Sequence, residues 1–198
     1  MADLLFQTED FVFSYRVAGI CIHDGMVLLQ KPTNDEGFAF PGGHVAFGET
    51  HEQTLIRECK EEIGADISVG ALKWIGEIFF PWGEKPCQQI CLYYLIKIED
   101  RHTPQKGVFM AQEHLEGQDF AIEFHWVPIS KIGEIQIYPQ NTPALLKIFL
   151  MGYSILSIGN KAEGLQGFFY HMKFWFSVAV LPYFPPHFRF ALGKIFPP

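Results

Sequence analysis

Glu58, Glu61 and Glu62 stand within one short amphipathic run, "THEQTLIRECKEEIGA" from Thr50 to Ala65, with Glu52 upstream on the same run. At about 100° per residue the three later glutamates share one arc of a helix, while Lys60 and Arg57 project elsewhere. Like charges at these spacings cost an isolated helix about 0.2–0.5 kcal/mol per pair, so something outside the helix should compensate. The residues alone leave two readings open. The arc is either a solvated acidic face or a set of hard oxygen ligands for a divalent cation such as Mg2+, whose shell water and substrate phosphate would complete.

The elements that must position these carboxylates can be read from the flanking residues. Thr50 followed by Gln53 has the form of a capping box and Gly64 supplies a left-handed stop, which predicts a helix of about thirteen residues. Leu55, Ile56, Cys59 and Ile63 form the stripe expected to face the core. Ahead of the helix, "FAFPGGHVAFGE" is an extended piece broken by Pro41, Gly42 and Gly43, and these glycines would let the backbone approach a ligand closely. "YRVAGICIHDGMVLLQK" predicts a β-hairpin turning at Asp24-Gly25.

After the helix, "ALKWIGEIFF" and "CQQICLYYLIKIE" read as strands separated by a "PWGEKP" loop. Residues 100–121 read as a polar, irregular surface excursion. "EFHWVPISKI" reads as a strand entering a short turn, and "TPALLKIFLMGYSIL" as a second helix with Pro143 in its first turn. The order ββ, α, ββ, β, α implies an α/β fold, a mixed sheet covered by helices.

Gly43, five residues, Glu49, seven residues and then "RECKEEIGA" resemble the Nudix box, GX5EX7REUXEEXGU, with every fixed position filled. Cys59 and Ala65 are small for its bulky aliphatic positions, and the resemblance in layout runs from about Ser14 to Leu150. It implies a Nudix-type α/β/α sandwich in which the box forms a loop-helix-loop. It further implies that Glu58, Glu61 and Glu62 bind Mg2+ or Mn2+, with the Gly43 carbonyl as another ligand. Arg57 would orient the carboxylates, with Glu49 as its partner. The implied reaction is hydrolysis of the pyrophosphate in a nucleoside diphosphate linked to another moiety. Either Glu58 or Glu123 would serve as the general base.

Pro81, sixteen residues beyond the box, is placed as in the ADP-ribose pyrophosphatase subgroup and points to ADP-ribose or a sugar-nucleotide-like substrate. Nucleoside triphosphates and dinucleoside polyphosphates are the alternatives. Phe79, Phe80 and Trp82 could stack on a base, with Phe80 and Trp82 the candidate contacts beside Gly42 and Gly43, or simply pack. A nucleotide-binding domain without catalysis is the rival class; it would be expected to lose metal-binding glutamates, and this chain keeps all three.

A formal charge of −7 opposes non-specific binding of nucleic acid, so the charge of an anionic substrate must be met locally by a cation or a few placed Arg and Lys. Cys21, Cys59, Cys87 and Cys91 form no CxxC pair, and the N-terminus lacks the pattern of a signal peptide, which together predict reduced thiols and a cytoplasmic location. Residues 1–160 are expected to form the Nudix domain and 161–198 an aromatic, Pro-rich extension. From Phe168 onward the composition shifts, and the uncharged run Phe174 to Phe188 contains three prolines, too short and too broken for a membrane span. The extension is read as a segment packed on the domain or on a partner subunit of a homodimer, as a membrane-surface anchor, or as a tail without selected structure.

Overall fold

The computed structural model describes residues 2–33, 35–99, 108–115, 118–150, 155–160 and 176–180. A short strand β1 (Leu5–Gln7) pairs antiparallel with β2 (Val12–His23), which leads through Asp24 and Gly25 into β3 (Met26–Pro32). Both turn residues take positive φ, 48° and 72°, so the expected two-residue reversal is present. The two strands pair only at Ile22↔Val27 and His23↔Met26 and then diverge.

The segment from Ala39 to Val45 fills the resulting wedge. Ala39 exchanges both backbone hydrogen bonds with Gln30 of β3, while the Pro41 and Gly43 carbonyls accept from Gly19 and Val17 of β2 and the Val45 N–H donates to Tyr15. The double glycine is thereby stitched into the sheet rather than left as a free loop. Gly42 takes φ +144°, and a Cβ there would stand 2.2 Å from the Val17 carbonyl oxygen, so only glycine fits.

Helix α1 (His51–Ile63) follows, then β4 (Ile67–Trp82), β5 (Lys85–Ile98), β6 (Val108–Leu115) and β7 (Gln118–Pro128). A 3-10 turn (Ile129–Glu134), α2 (Thr142–Leu150), β8 (Ile155–Asn160) and β9 (Phe176–Val180) complete the described elements. The sheet order is β6-β7-β3-β2-β5-β4-β8-β9, with β1 alongside β2; β2/β5 and β4/β8 are parallel and the other pairs antiparallel. One face carries Val17, Leu28 and Leu92 under Leu55 and Cys59 of α1. The other carries Ile20, Trp74 and Tyr93 under Leu145 and Leu146 of α2. This is the mixed sheet between helical layers that the sequence implies.

Several elements differ from expectation. β4 and β5 run through Pro81-Trp82 and Lys85-Pro86, leaving Gly83 and Glu84 as the turn, because Gly83 adopts φ +59° and closes a tight hairpin. Within 100–121, β6 and the start of β7 pair antiparallel where an irregular excursion was expected; the apolar runs Val108–Ala111 and Phe120–Ile122 are short and flanked by polar residues, and the backbone ladder extends through both. α2 ends at Leu150, and Ile155 belongs to β8 rather than to the helix. On α1 the buried stripe is Thr54, Leu55, Cys59 and Glu62, while Ile56 is 42% exposed.

Of the C-terminal extension, β9 is described and pairs antiparallel with β8 across the expected boundary at residue 160; the anchor and tail readings otherwise fall on residues outside those described. Among the described residues no helix is long and apolar enough to cross a membrane. All four cysteines are buried and free.

Candidate metal and substrate site

The site is built around the start of α1. Thr50 caps the helix, its hydroxyl accepting from the Gln53 N–H while the Gln53 side chain accepts from the Thr50 N–H, and Gly64 ends it at φ +65°. Glu49, just outside the cap, receives Arg57 through Nε at 2.9 Å and Nη2 at 3.0 Å, together with the Thr54 hydroxyl at 2.9 Å. This forked pair fixes the guanidinium, whose Nη1 then donates to Glu58 Oε1 at 2.8 Å and to Glu61 Oε2 at 3.1 Å. Its Nη2 also reaches the His44 carbonyl at 3.3 Å.

Arg57 therefore lies inside the acidic patch, not outside it as the helical wheel places it. The wheel locates Cβ atoms, whereas the long Arg57 side chain curls along the helix surface to Glu58 and to Glu61 one turn on. The hydrogen bonds from Arg57 hold the Glu49 carboxyl below its ordinary pKa, against an opposing effect of burial. Burial pushes the Glu58 carboxyl up, partly offset by Arg57.

Gly43 meets α1 directly. A Cβ at this position would stand 2.2 Å from both Cδ and Oε1 of Glu58, so the carboxylate occupies the space that any other residue would fill. The Gly43 carbonyl accepts the Val17 N–H at 3.0 Å, which leaves it a second lone pair. Glu62 is 9% exposed and Glu61 lies in solvent, so the three carboxylates grade from core to surface. Among the described residues no three acidic, His or Cys side chains converge tightly enough to enclose an ion alone. The donor set still suits a hard cation: it is all oxygen, and Mg2+ binds through one or two carboxylates plus water and phosphate rather than in a closed protein cage.

The other expected residues are placed as follows. The Gly42 carbonyl accepts from Arg16 Nη2 at 2.8 Å. The Trp82 ring meets the His44 ring edge-on at 6.2 Å, and Phe80 lies 6.2 Å from Trp82, so the tip of the β4–β5 hairpin does reach the box segment. Glu123 is not brought to α1. Its neighbours Ile122 and Phe124 point into the core beneath α1, so Glu123 faces the α2 side, with His125 Nε2 at 2.8 Å and Lys31 Nζ at 3.8 Å.

Three residues that the sequence did not single out belong to this neighbourhood. His44 is buried, its Nε2 is 3.1 Å from Ser14 Oγ, and burial with the Arg16 charge lowers its pKa to about 3, so the imidazole is neutral. Arg16 and Ser14 were hidden inside an apolar strand; a lone Arg in such a run was the available signal.

Comparison with known proteins agrees with this geometry. The NUDIX domain model matches residues 14–147. An RNA pyrophosphohydrolase of Aeromonas hydrophila is 29% identical over 127 residues, covering 57% of this chain and 70% of that protein. An ADP-ribose pyrophosphatase of Methanocaldococcus jannaschii is 49% identical over 51 residues, 24% of this chain and 30% of that one. A NUDIX hydrolase from Nitrosomonas europaea superposes with a TM-score of 0.53 at 16% identity, covering 77% of this chain and 81% of the other. A UDP-X diphosphatase superposes at 0.51 with 16% identity, covering 77% of this chain and 68% of the other, and both likenesses speak to the fold. The family match spans more than half of the chain and includes the complete box, and the chain belongs to the NUDIX hydrolases.

Proposed function

We propose that the chain is a divalent-metal-dependent pyrophosphohydrolase, in which Glu58, Glu61, Glu62 and the Gly43 carbonyl hold Mg2+ or Mn2+ and a nucleoside diphosphate linked to another group is cut at its anhydride. The observation that carries this reading is the apposition of Gly43 and Glu58, a backbone without a side chain against a mostly buried carboxylate midway along α1. When bound, the cation would neutralise charge on the phosphoryl oxygens and lower the pKa of a water molecule. The protein's part is positional. Glu49 fixes Arg57, and Arg57 fixes Glu58 Oε1, which leaves Glu58 Oε2 to face the reacting water and take its proton. Glu123 is engaged by Lys31 and His125 on the other face, which favours Glu58.

The relatives' names agree on a diphosphate or pyrophosphate linkage and differ in what is attached to it: RNA, 8-oxo-dGTP and ADP-ribose. The reaction class follows that agreement. ADP-ribose or a sugar nucleotide is the substrate we favour, on the position of Pro81, now in the β4–β5 hairpin beside Trp82. The test is a panel of ADP-ribose, sugar nucleotides, dinucleoside polyphosphates and nucleoside triphosphates, oxidised ones included, each with Mg2+ or Mn2+ and products resolved. Metal-dependent release from at least one, abolished in Glu58→Gln, is expected. Release of nothing over hours with either metal would remove the hydrolase reading, and equal rates across the panel would remove the argument from Pro81. A Glu58→Gln enzyme within tenfold of wild type, about 1.4 kcal/mol of barrier, would remove Glu58 as the base.

A further inference from the structure

His44 is held from both faces of the sheet. It stands opposite Arg16 of β2, flanked by the bonds from the Val17 N–H to the Gly43 carbonyl and from the Val45 N–H to the Tyr15 carbonyl. Such a non-hydrogen-bonded pair places both side chains on one face. Ala18 lies in the core under α2, so Ser14, Arg16 and the His44 ring share the α2 side, while Val45 packs under α1. The ring is buried, with Nε2 3.1 Å from Ser14 Oγ, and the Trp82 ring meets it edge-on at 6.2 Å. Ser14 Oγ in turn donates to Gln89 Oε1 at 3.3 Å. A hydroxyl has one hydrogen and Gln89 takes it, so His44 Nε2–H is the donor to Ser14. The ring is thereby tied to β2 and, through Ser14, to β5.

The carbonyl of His44 serves the α1 side. The Val45 N–H points to β2, so the trans peptide turns the His44 carbonyl away from β2, and there it accepts Arg57 Nη2 at 3.3 Å. The other acceptors of Arg57 among the described residues, Glu49, Glu58 and Glu61, all belong to α1 or to the turn before it. The His44 carbonyl is thus the contact that refers this guanidinium to the sheet. At 3.3 Å the bond is long for its kind, so a small displacement of His44 would break it. On the ring side the neighbours of Ser14 on the same face, Val12, Cys87 and Cys91, are core residues. A polar triad in such surroundings admits one arrangement of donors and acceptors, whereas an apolar ring could settle in several.

We propose that His44 is a positioning residue for the carboxylates of α1. Ser14 and Gln89 fix its ring on one face of the sheet, and its carbonyl fixes Arg57 on the other, so the orientation of Glu58 Oε1 and Glu61 Oε2 depends on a hydrogen bond made across the sheet from them. Trp82, packed on the same ring, places the tip of the β4–β5 hairpin on this line. The inference rests on the hydrolase reading for what the carboxylates do, and on the hydrogen bonds alone for what holds them.

The full chain is compared with His44→Phe, His44→Gln, Ser14→Ala, Arg57→Lys and the His44→Phe/Arg57→Lys pair, measuring Mg2+ affinity by calorimetry, kcat, KM and melting temperature on each. His44→Phe and Ser14→Ala should lower kcat about five- to tenfold and weaken Mg2+ about threefold, with KM within about twofold of wild type. His44→Gln, whose amide N–H has the reach of Nε2, should recover kcat to within about twofold whatever its melting temperature. In the Arg57→Lys background His44→Phe should cost less than about twofold more, because the two act on the same carboxylates. Wild-type kcat and Mg2+ affinity in His44→Phe would overturn the assignment; if that variant fails to fold, Ser14→Ala, which leaves the ring in place, decides by the same criterion. Losses that follow melting temperature alike in all variants, with no rescue by Gln and full effect in the Arg57→Lys background, would also overturn it and leave His44 as packing. A wild type that binds Mg2+ but cuts nothing would remove the hydrolase reading, and Mg2+ affinity would then decide this one: weakened in His44→Phe and Ser14→Ala it stands, unchanged it falls. A wild type that takes up no Mg2+ would overturn both.

Discussion

Glu58 presses its carboxylate against the Cα of Gly43, so closely that a methyl group there would stand 2.2 Å from Oε1. The φ of Gly43 is not in the left-handed region, so Gly43→Ala is a test of space rather than of backbone conformation. The carboxylate must swing away to admit the methyl, taking Glu58 out of the reach of Arg57. We expect Gly43→Ala to bind Mg2+ about tenfold more weakly or worse and to lose at least about a hundredfold in kcat, with the far-UV spectrum retained. Wild-type metal affinity in a folded Gly43→Ala protein would show that the carboxylate does not need this position.

Arg57 joins Glu49, Glu58 and Glu61, and its role depends on the fork. Arg57→Lys keeps the charge but cannot donate two parallel bonds to Glu49 while reaching Glu58. The expected cost is about 1–3 kcal/mol of stability and a drop in kcat larger than any rise in KM, because Glu58 loses its orientation while the substrate keeps its contacts. Urea denaturation and steady-state kinetics on the same preparation would check both. A lysine variant with unchanged kcat would mean that Arg57 only staples the loop to the helix.

Helix α1 was legible because its determinants are local. Thr50, Gln53 and Gly64 cap it, and Leu55 and Cys59 dock it, all within one stretch of chain. The Asp24-Gly25 turn was legible for the same reason. What α1 does with its charges was not, because the Arg57 head group travels a full turn from its Cβ and Glu62 is buried by strands elsewhere in the sequence. The β6–β7 hairpin was not read although Val108–Ala111 and Phe120–Ile122 are apolar, because these short runs are embedded in the polar stretches 100–107 and 112–119. Arg16 gains its meaning from Gly42, 26 residues away, and Trp82 from His44, contacts that only the wedge between β2 and β3 and the length of the β4–β5 hairpin create.

Glu49 sets an acid limit on stability. Its carboxyl pKa is lowered in the fold, first by the hydrogen bond from Arg57, so the folded state binds this proton less readily than the unfolded chain. Such a group stabilises above the unfolded carboxylate pKa, and the benefit fades as pH falls through the depressed value. Wild type should therefore exceed Glu49→Gln in melting temperature at neutral pH, and the gap should narrow steadily below the ordinary glutamate range. A gap that stays constant down to strong acid would mean that the ionised pair contributes nothing beyond packing.

His51 ties the start of α1 to two strands. Its Nε2 is 2.6 Å from the Tyr15 hydroxyl on β2 and its Nδ1 2.9 Å from the Tyr94 hydroxyl on β5, and its ring meets Tyr15 edge-on at 5.7 Å. A neutral imidazole offers one donor and one acceptor, which matches two phenols, one giving and one receiving. Burial lowers the pKa of His51, so folding disfavours the cation; the stability this arrangement supplies is present above the unfolded histidine pKa and lost as pH falls below it. His51→Phe keeps the ring but strands both hydroxyls, and we expect it to cost about 1–2 kcal/mol near pH 8, read by urea denaturation. The difference from wild type should shrink toward pH 5, because only wild type spends free energy keeping the imidazole neutral there. Were the phenylalanine variant as stable as wild type at pH 8, the Tyr15–His51–Tyr94 bridge would be incidental, and α1 would be held by its cap and by Leu55 and Cys59 alone.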